Sequence, residues 1–161
     1  MTQIAPVEVT MHIPAAPEDV FGHFTDPARY IQWMGTEAEL EPKPGGTYRV
    51  RMADGMKNAG TFLQVSPPHL VVFTWGFADE EAAQHTLHQR GEATSGNAMP
   101  SGSTRVTVTL EHEDGGTRLT LQHDDLPNPE LREGHYIAWN AYLPRLAISA
   151  AGGDPGPDPH S

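Results

Sequence analysis

The 161-residue sequence contains no cysteine. Without thiols the chain has no disulfide framework, no thiolate nucleophile and no cysteine-ligated zinc or iron–sulfur site. A chain of this length fits one domain and buries about two-thirds of its unfolded surface, so it needs no covalent or metal crosslink for stability. The absence of cysteine agrees with a reducing cytoplasm, which is the location we expect.

Basic residues are scarce as well. Lys and Arg together number 10, against 21 Asp and Glu, and the formal net charge is −11. Binding to nucleic acid or to an anionic membrane surface depends on concentrated positive charge. We therefore expect no nucleic-acid partner and no membrane partner.

Long apolar runs are also missing. No stretch of the sequence approaches the roughly 18 apolar residues that a membrane span requires. The first Lys or Arg is Arg29 and no apolar segment precedes or follows it closely, so the N-terminus lacks the pattern of a secretory signal.

The residues that are present predict one run of strands followed by a single long helix. Apolar and polar residues alternate from Val7 to Ile13, and two helix-start signals follow, at Pro17 and at Asp26-Pro27. The same alternation predicts strands over 37–40, 47–52, 59–65, 70–77, 104–111 and 117–122, and helical spacing predicts a helix over 130–150. Strands joined by hairpins form an antiparallel sheet, and a lone amphipathic helix must pack on it, so we expect an α+β fold.

Three segments depart from this regular pattern. Residues Asp79 to Gly102 lack sustained periodicity, so we expect a long loop there that could cover a cavity mouth. Pro144 lies inside the long helix and predicts a kink or a local break. Residues 152–161 are rich in glycine and proline, and we expect them to be a disordered tail after a domain of residues 1–151.

Several motifs, in this order, resemble those of one known family. They are Val20-Phe21-Gly22-His23-Phe24-Thr25-Asp26-Pro27, Trp33-Met34-Gly35, Pro44-Gly45-Gly46, the segment 67–75, Gly102-Ser103-Thr104-Arg105-Val106, Gly116-Thr117-Arg118-Leu119 and the helix 135–146. Over about residues 5 to 150 the chain resembles the START-like (SRPBCC) superfamily, and within it the group named after the C-terminal domain of the activator of Hsp90 ATPase.

This resemblance implies a helix-grip fold. In that fold a curved antiparallel sheet wraps around a long C-terminal helix, and here two short helices would follow the first strand. The resemblance also implies a cavity between the sheet and the helix, which in many relatives takes an apolar ligand.

Inward-facing aromatic and methionine side chains are the strongest chemical signal. We predict that eleven residues bind the ligand: Phe24, Trp33, Tyr48, Met52, Phe62, Phe73, Trp75, Phe77, His135, Trp139 and Tyr142. Five of these have a polar end that needs a partner when buried, namely Tyr48, Trp75, His135, Trp139 and Tyr142. The alternative that these side chains only fill the core stays open, because residues that line pockets and residues that fill cores are alike in sequence.

Other chemistry has weaker support in the sequence. His85 and His88 are three residues apart, but we assign them to a solvated loop, and we predict no metal and no cofactor. His135 is expected to face inward, either as a satisfied core histidine or as a catalytic base. The sequence has no nucleophile elbow, phosphate loop or dinucleotide fingerprint, so no residue is predicted to be catalytic.

Three functional hypotheses follow. The first is a carrier or binding protein for a small hydrophobic molecule. The second is a cyclase-like or hydrolase-like enzyme that uses His135 or Tyr48 as a general acid or base, by analogy with the fold. The third is a co-chaperone-like module that binds a chaperone of the Hsp90 type. Monomer and homodimer are both open.

Overall fold

An antiparallel sheet of seven strands forms the framework of the computed structural model, which describes residues 4–90 and 99–159. The strands are β1 (Val7–Ile13), β2 (Glu37–Leu40), β3 (Thr47–Arg51), β4 (Lys57–Ser66), β5 (Leu70–Trp75), β6 (Thr104–Glu113) and β7 (Gly116–Asp124). Their order across the sheet is β1-β7-β6-β5-β4-β3-β2, and each neighbouring pair is antiparallel.

Four helices complete the fold: α1 (Pro17–Thr25), α2 (Pro27–Tyr30), α3 (Glu80–Gln89) and α4 (Pro129–Ala150). The long helix α4 packs on the inner face of the curved sheet, together with α1. This arrangement is the predicted α+β helix-grip fold, and that prediction is confirmed. Within the described ranges, no helix combines the length and the apolar character needed to cross a bilayer.

All seven predicted strands are present, and β1 has the predicted bounds at both ends. One difference is at the end of β5, which stops at Trp75, so that Phe77 forms only isolated bridges to Asn58 and Pro100. A Cβ atom on Gly76 would lie 1.9 Å from the Pro100 carbonyl oxygen. The chain therefore leaves the regular ladder where it passes close to this neighbouring segment.

The expectation of an irregular segment over 79–102 is wrong for residues 80–89, which form α3. The side chain of Asp79 caps this helix by accepting a hydrogen bond from the Ala82 N–H (3.1 Å). Its buried side is small, since it consists of Ala83, Thr86 and Leu87. The segment contains few apolar residues overall, so it does not stand out in the sequence as an element that packs on a core. Residues 91–98 of the segment lie outside the described residues.

The local break expected in the long helix is also wrong. Helix α4 is continuous from Pro129 to Ala150, with Pro144 on its exposed side. Tyr142, Leu143 and Leu146 on either side of the proline are buried. Packing of this apolar stripe keeps the helix intact despite the missing backbone hydrogen bond, because tertiary contacts supply most helix stability in proteins. The separate expectation of a kink stays a prediction.

The helix that starts at Asp26-Pro27 is short. Helix α2 ends at Tyr30, and Trp33 follows in a turn. Trp33 is nevertheless fully buried and donates its indole N–H to the His23 carbonyl (2.9 Å). This hydrogen bond ties the turn after α2 to α1.

The chain after α4 is coil that lies against the domain. Arg145 holds it through hydrogen bonds to the Pro155 and Pro157 carbonyls (3.1 and 2.8 Å), while its Nε donates to the Trp33 carbonyl (3.0 Å). The boundary at residue 151 and the disorder of residues 152–161 stay predictions.

Candidate ligand-binding site

Helix α4 leaves a cavity of about 560 Å³ against the sheet. The first half of α4 forms one wall, and residues of β4, the ends of β3 and β5, and the end of α3 form the others. The volume lies within the range of roughly 300–1,000 Å³ that is typical of small-molecule sites. The helix therefore does not fill the concave side of the sheet.

Most of the cavity wall is apolar. Three methionines contribute to it, Met34, Met52 and Met56, together with aromatic and aliphatic side chains: Trp75, Phe77, Leu87, Leu131, Ile137, Ala138 and Trp139. Thioether chains are flexible and polarizable, so they adapt to guests of different shape. A wall of this composition favours apolar or aromatic molecules.

A chain of hydrogen bonds behind the cavity fixes two of its tryptophans. The Trp139 indole N–H donates to His123 Nδ1 (3.1 Å), so His123 is the tautomer with a proton on Nε2, which donates to Thr104 Oγ1 (2.8 Å). The Thr104 hydroxyl in turn donates to the Trp75 carbonyl (2.7 Å). Burial, and in second place the charge of His135 when protonated, hold the pKa of His123 well below its usual value. His123 is therefore neutral and uses both ring nitrogens.

The tryptophan indoles differ in whether their N–H group has an acceptor. The indole N–H of Trp33 donates to the His23 carbonyl, and that of Trp139 donates to His123 Nδ1. The Nε1–H of Trp75 is buried and has no acceptor among the described residues. Trp75 itself lines the cavity and is only 5% exposed. The Nε1 atom itself is closed off from the cavity, so within the described part of the chain Trp75 carries a fully buried donor without an acceptor.

Asn58 adds a second polar group to the same wall. It is 5% exposed and lies on the concave face of β4, where it shares the inward parity of Phe62. Its side-chain amide makes no hydrogen bond within the described part of the chain. Asn58 and Trp75 stand on neighbouring strands, since β4 pairs with β5.

His135 brings an acceptor from the helix side. Its Nδ1–H donates to the Leu131 carbonyl (2.8 Å), so Nε2 carries the lone pair when the ring is neutral. Burial lowers the pKa of His135, and the charge of Arg90 acts in the same direction. The ring packs edge-on against His123, with the centroids 5.0 Å apart. His135 is thus a neutral side chain at the cavity wall near pH 7.

Charged groups surround the opening of the cavity. The Arg90 guanidinium, at the end of α3, donates from Nε to Asp54 Oδ2 (2.6 Å), and its Nη2 contacts the same oxygen. Leu87 and Arg90 both line the cavity, so the 79–102 segment does contribute to its wall. Glu130 and Glu133 lie on the first turns of α4 and are exposed at the opening.

The C-terminal coil contacts a residue of the cavity wall. Tyr142 lines the cavity, and its hydroxyl donates to Asp158 Oδ1 (2.7 Å). Burial is the main cause that raises the pKa of Tyr142, and its hydrogen bond to the carboxylate acts in the same direction. The Gly35 N–H also approaches the carboxylate of Asp158 (3.3 Å), next to the cavity residue Met34.

Six of the eleven residues predicted to bind a ligand line this cavity: Met52, Trp75, Phe77, His135, Trp139 and Tyr142. The other five, Phe24, Trp33, Tyr48, Phe62 and Phe73, do not line it. They pack as a buried aromatic cluster in which the Tyr48 and Phe73 rings are stacked with centroids 4.0 Å apart. That any of the eleven binds a ligand stays a prediction.

Tyr48 has no access to the cavity for acid–base chemistry. Its hydroxyl is hydrogen-bonded to that of Tyr30, and the Tyr30 hydroxyl also contacts the Met34 sulfur (3.2 Å). Burial, followed by the neighbouring Tyr30, raises the pKa of Tyr48 well above its usual value. Of the two candidate acid–base residues, only His135 lines the cavity.

Sequence reasoning missed several residues of the cavity wall, among them Met34, Met56, Asn58, Leu87 and Arg90. Asn58 had a usable signal, because its even spacing from Phe62 places it on the inner face of the strand. Leu87 and Arg90 lacked one, since the helix that carries them was not predicted. Within the described residues, no group of three or more His, Asp or Glu side chains is placed to hold a metal ion.

One protein-family model matches most of this chain. The model of the family described as activator of Hsp90 ATPase homolog 1-like protein (AHSA1) matches residues 14–150. The chain belongs to this family. The family likeness inferred from the sequence motifs is therefore confirmed, although no curated protein matches the chain.

Solved structures agree with the AHSA1-like assignment. An AHSA1-like protein of Rhizobium etli is 36% identical, the alignment covers 99% of this chain and 93% of that chain, and the TM-score is 0.67. A protein of Mesorhizobium loti is 19% identical over 91% of this chain and 96% of that chain, with a TM-score of 0.72. The Aha1 dimer of Colwellia psychrerythraea is 14% identical over 93% of this chain and 98% of that chain, also with a TM-score of 0.72. The last two likenesses concern the fold alone.

Proposed function

We propose that this AHSA1-like protein binds and carries a small, largely apolar molecule in the cavity between α4 and the sheet, without transforming it. The observation that carries the proposal is the cavity itself, with a volume of about 560 Å³ and a mostly apolar wall that includes a few polar groups. Ligand sites typically combine these features, because apolar walls supply affinity and a few polar groups set orientation.

The cavity is preorganised for binding. The hydrogen bonds through His123 and Thr104 hold the Trp139 side chain and the Trp75 backbone whether or not a guest is present. On the other wall, the ion pair between Arg90 and Asp54 ties the end of α3 to the turn after β3. A site whose walls are already ordered loses less conformational entropy when it binds a ligand.

Gly134 offers a direct test of this proposal. It lies on α4, lines the cavity, and a Cβ added there would meet no described atom within 4 Å. Gly134→Leu should therefore occupy the opening without a clash and improve helix propensity by about 0.5–1 kcal/mol. Ala141→Leu, on the exposed side of the same helix, is the matched control.

Binding of the neutral probe N-phenyl-1-naphthylamine, followed by its fluorescence, is the measurement. We expect Gly134→Leu to weaken binding at least about tenfold and Ala141→Leu to leave it within about twofold, with both variants at least as thermally stable as the parent protein. Equal binding by all three proteins would mean that the probe does not use this cavity, and that outcome would contradict the proposal. In that case native mass spectrometry of the purified protein should also show no bound small molecule.

His135 favours an enzymatic role as a second candidate. Its neutral ring at the cavity wall has an Nε2 lone pair with no hydrogen-bond partner among the described residues, and a general base needs such a group. An enzyme would return a changed molecule from incubation with candidate ligands, and His135→Gln would abolish the change. A carrier would return the ligand unchanged.

Membership of the AHSA1 family favours a chaperone partner as a third candidate. Tyr136 and Ile137 on α4 are 43% and 60% exposed and offer apolar contact area beside the cavity. A pull-down with an Hsp90-type chaperone and a measurement of its ATPase rate test this role. The rate should rise with the parent protein and rise less with a Tyr136→Ser, Ile137→Ser double variant.

A further inference from the structure

On the helix wall of the cavity, His135 presents a ring nitrogen that a guest can reach. Its Nδ1–H donates to the Leu131 carbonyl (2.8 Å), so the lone pair of the neutral ring is on Nε2. Nε2 has no hydrogen-bond partner among the described residues, and unlike Trp75 Nε1 it is not shut off from the surroundings. A guest with a suitable group can therefore bond to it.

The place of His135 on α4 indicates that this nitrogen opens on the cavity. Leu131, His135 and Trp139 are spaced four residues apart on one side of the helix, and all three line the cavity. The His135 ring packs edge-on against the buried ring of His123, with the centroids 5.0 Å apart. Because the half-buried ring is on the sheet side of α4, the accessible surface of Nε2 faces the space between helix and sheet.

The protonation state of His135 decides which partner this nitrogen takes. Burial lowers the pKa of His135, so the ring is neutral near pH 7 and Nε2 can only accept a hydrogen bond. A ketone, an ether or an ester has no proton to donate. The group that matches Nε2 is a hydroxyl or another neutral donor.

The charges around the cavity oppose a charged ligand. Glu130 and Glu133 place two carboxylates at the opening, and Arg90, the only Lys or Arg side chain among the described lining residues, is already paired with Asp54. A carboxylate entering the cavity would lose its hydration without gaining an unpaired cation. An ammonium group on Nε2 would be repelled by Arg90, whose positive charge acts on His135.

We propose that the ligand is an uncharged aromatic molecule with a hydroxyl group, which donates a hydrogen bond to His135 Nε2. The methionine and aromatic side chains of the wall pack around its ring system. This inference rests on the proposed binding function, and it adds the hydrogen-bonding group and the charge of the ligand.

Four naphthalene derivatives test the inference. They are 2-naphthol, which is uncharged at pH 7, 2-methylnaphthalene, in which a methyl group of similar size replaces the hydroxyl, the anion 2-naphthoate and the cation 2-naphthylmethylammonium. Their affinities are measured by displacement of N-phenyl-1-naphthylamine. We expect 2-naphthol to bind at least about tenfold more tightly than 2-methylnaphthalene, because the methyl group would leave Nε2 desolvated and unpaired. Both ions should bind more weakly than 2-naphthol.

His135→Phe removes the acceptor and keeps a ring at the same position. In this variant the ratio of 2-naphthol affinity to 2-methylnaphthalene affinity should fall to about one or below. Ala141→Leu, on the exposed side of the same helix, is the control and should keep the parent ratio. A ratio in His135→Phe equal to that of the parent would assign the hydrogen bond to another group, such as the Asn58 amide, and would overturn the inference.

The histidine ring nitrogens in a long-range ¹⁵N–¹H NMR spectrum provide a second readout. The protein has nine histidines, and His135→Gln identifies the signals of His135. 2-Naphthol should shift the Nε2 signal upfield by several ppm, because a nitrogen lone pair that accepts a hydrogen bond is more shielded, whereas 2-methylnaphthalene should not. This comparison is made in the parent protein, so it decides even if His135→Phe does not fold.

The possible outcomes separate this inference from the proposed function. If 2-naphthol and 2-methylnaphthalene bind with equal affinity and Gly134→Leu blocks both, the cavity is a binding site but the inference about its ligand is wrong. Tighter binding of either ion than of 2-naphthol would also overturn it. If none of the four molecules binds, both the inference and the proposed function fail.

Discussion

At the scale of single residues, His123 has the largest influence on the cavity wall although it does not line the cavity. It is fully buried, accepts from Trp139 and donates to Thr104. Both bonds require the neutral ring, because Nδ1 must accept while Nε2 donates. Protonation of this one residue would break the hydrogen bond that orients Trp139.

We predict that the protein loses stability as the pH falls below about 6.5. The folded-state pKa of His123 lies well below its ordinary value of 6.5, so between these two values only the unfolded chain takes up the proton. The unfolded state then binds more protons than the folded state, and the free energy of unfolding decreases as the pH falls. For His123 the decrease grows as the pH falls from 6.5 towards the lower pKa of the folded state. The depressed pKa of His135 acts in the same direction.

Urea unfolding at pH 7.5 and pH 5.0 measures this loss, and His123→Gln is the informative variant. The amide of glutamine can both accept and donate but does not titrate. The variant should be less stable than the parent at pH 7.5, and the difference between its two unfolding free energies should be smaller than that of the parent. A pH dependence equal to that of the parent would contradict the assignment to His123.

At the scale of elements, α3 is a marginal helix that nevertheless contributes to the cavity wall. Its buried side consists of three small or medium side chains, and its first turn depends on the Asp79 cap. Leu87 and Arg90, at its far end, line the cavity. Helices with little buried apolar area open locally more easily than the rest of a domain.

Asp79→Ala should therefore loosen this wall. Loss of an N-cap costs about 1 kcal/mol, so the amides of α3 should exchange with solvent about fivefold faster. N-phenyl-1-naphthylamine should also dissociate faster, because Leu87 and Arg90 would be less firmly placed. Hydrogen exchange read by mass spectrometry and stopped-flow fluorescence are the measurements. Glu81→Gln, which keeps the cap, is the control, and equal exchange in the two variants would refute the role of Asp79.

Helix α4 contains an internal proline, Pro144, which we expect to lower the free energy of unfolding. Pro144 removes a backbone donor in the middle of a 22-residue helix, and its ring is on the exposed side. Pro144→Ala should raise the free energy of unfolding by about 1–3 kcal/mol, or the Tm by about 2–4 °C for each kcal/mol. Pro129→Ala is the matched control, because a proline in the first turn of a helix removes no intrahelical hydrogen bond. A Tm unchanged by Pro144→Ala, measured by calorimetry, would show that the proline is not a source of strain.

At the scale of the whole molecule, the C-terminal coil connects parts of the cavity that are distant in sequence. Arg145 joins the carbonyls of Pro155 and Pro157 to that of Trp33, and Asp158 accepts from Tyr142. These contacts brace the end of the cavity formed by Met34 and Tyr142. The coil thus acts on the cavity from outside it.

Truncation after Gly153 should weaken both the domain and ligand retention. The variant loses the hydrogen bonds from Arg145 and Tyr142 to the coil, which together amount to about 2 kcal/mol of stability. Release of N-phenyl-1-naphthylamine should accelerate severalfold in stopped-flow measurements. Truncation after Pro159 keeps these contacts and should behave like the parent. If the two truncated proteins release the probe at the same rate, the coil does not brace the cavity.

Periodicity and turn residues in the sequence predicted an α+β fold with an antiparallel sheet and one long helix, and the family resemblance added the helix-grip arrangement. Strand β1 alternates regularly, and its bounds follow from that alternation. Helix α4 is long, and several of its buried residues lie three or four positions apart. Helix α3 has neither, so its Asp79 cap and acidic first turn were the available signals. Local patterns report which side of an element is buried, and they are reliable only where that side is large and apolar.

The division of buried residues between core and cavity was decided by the tertiary structure alone. Phe73 and Trp75 stand two residues apart on β5 with the same parity, yet Phe73 stacks in the core while Trp75 lines the cavity. Sequence determines that both face inward. Whether an inward side chain meets another side chain or empty space depends on how far α4 stands from the sheet. That distance is set by the combined packing of α1, α3, α4 and the C-terminal coil, because close packing is a property of all the contacts together and not of any one residue.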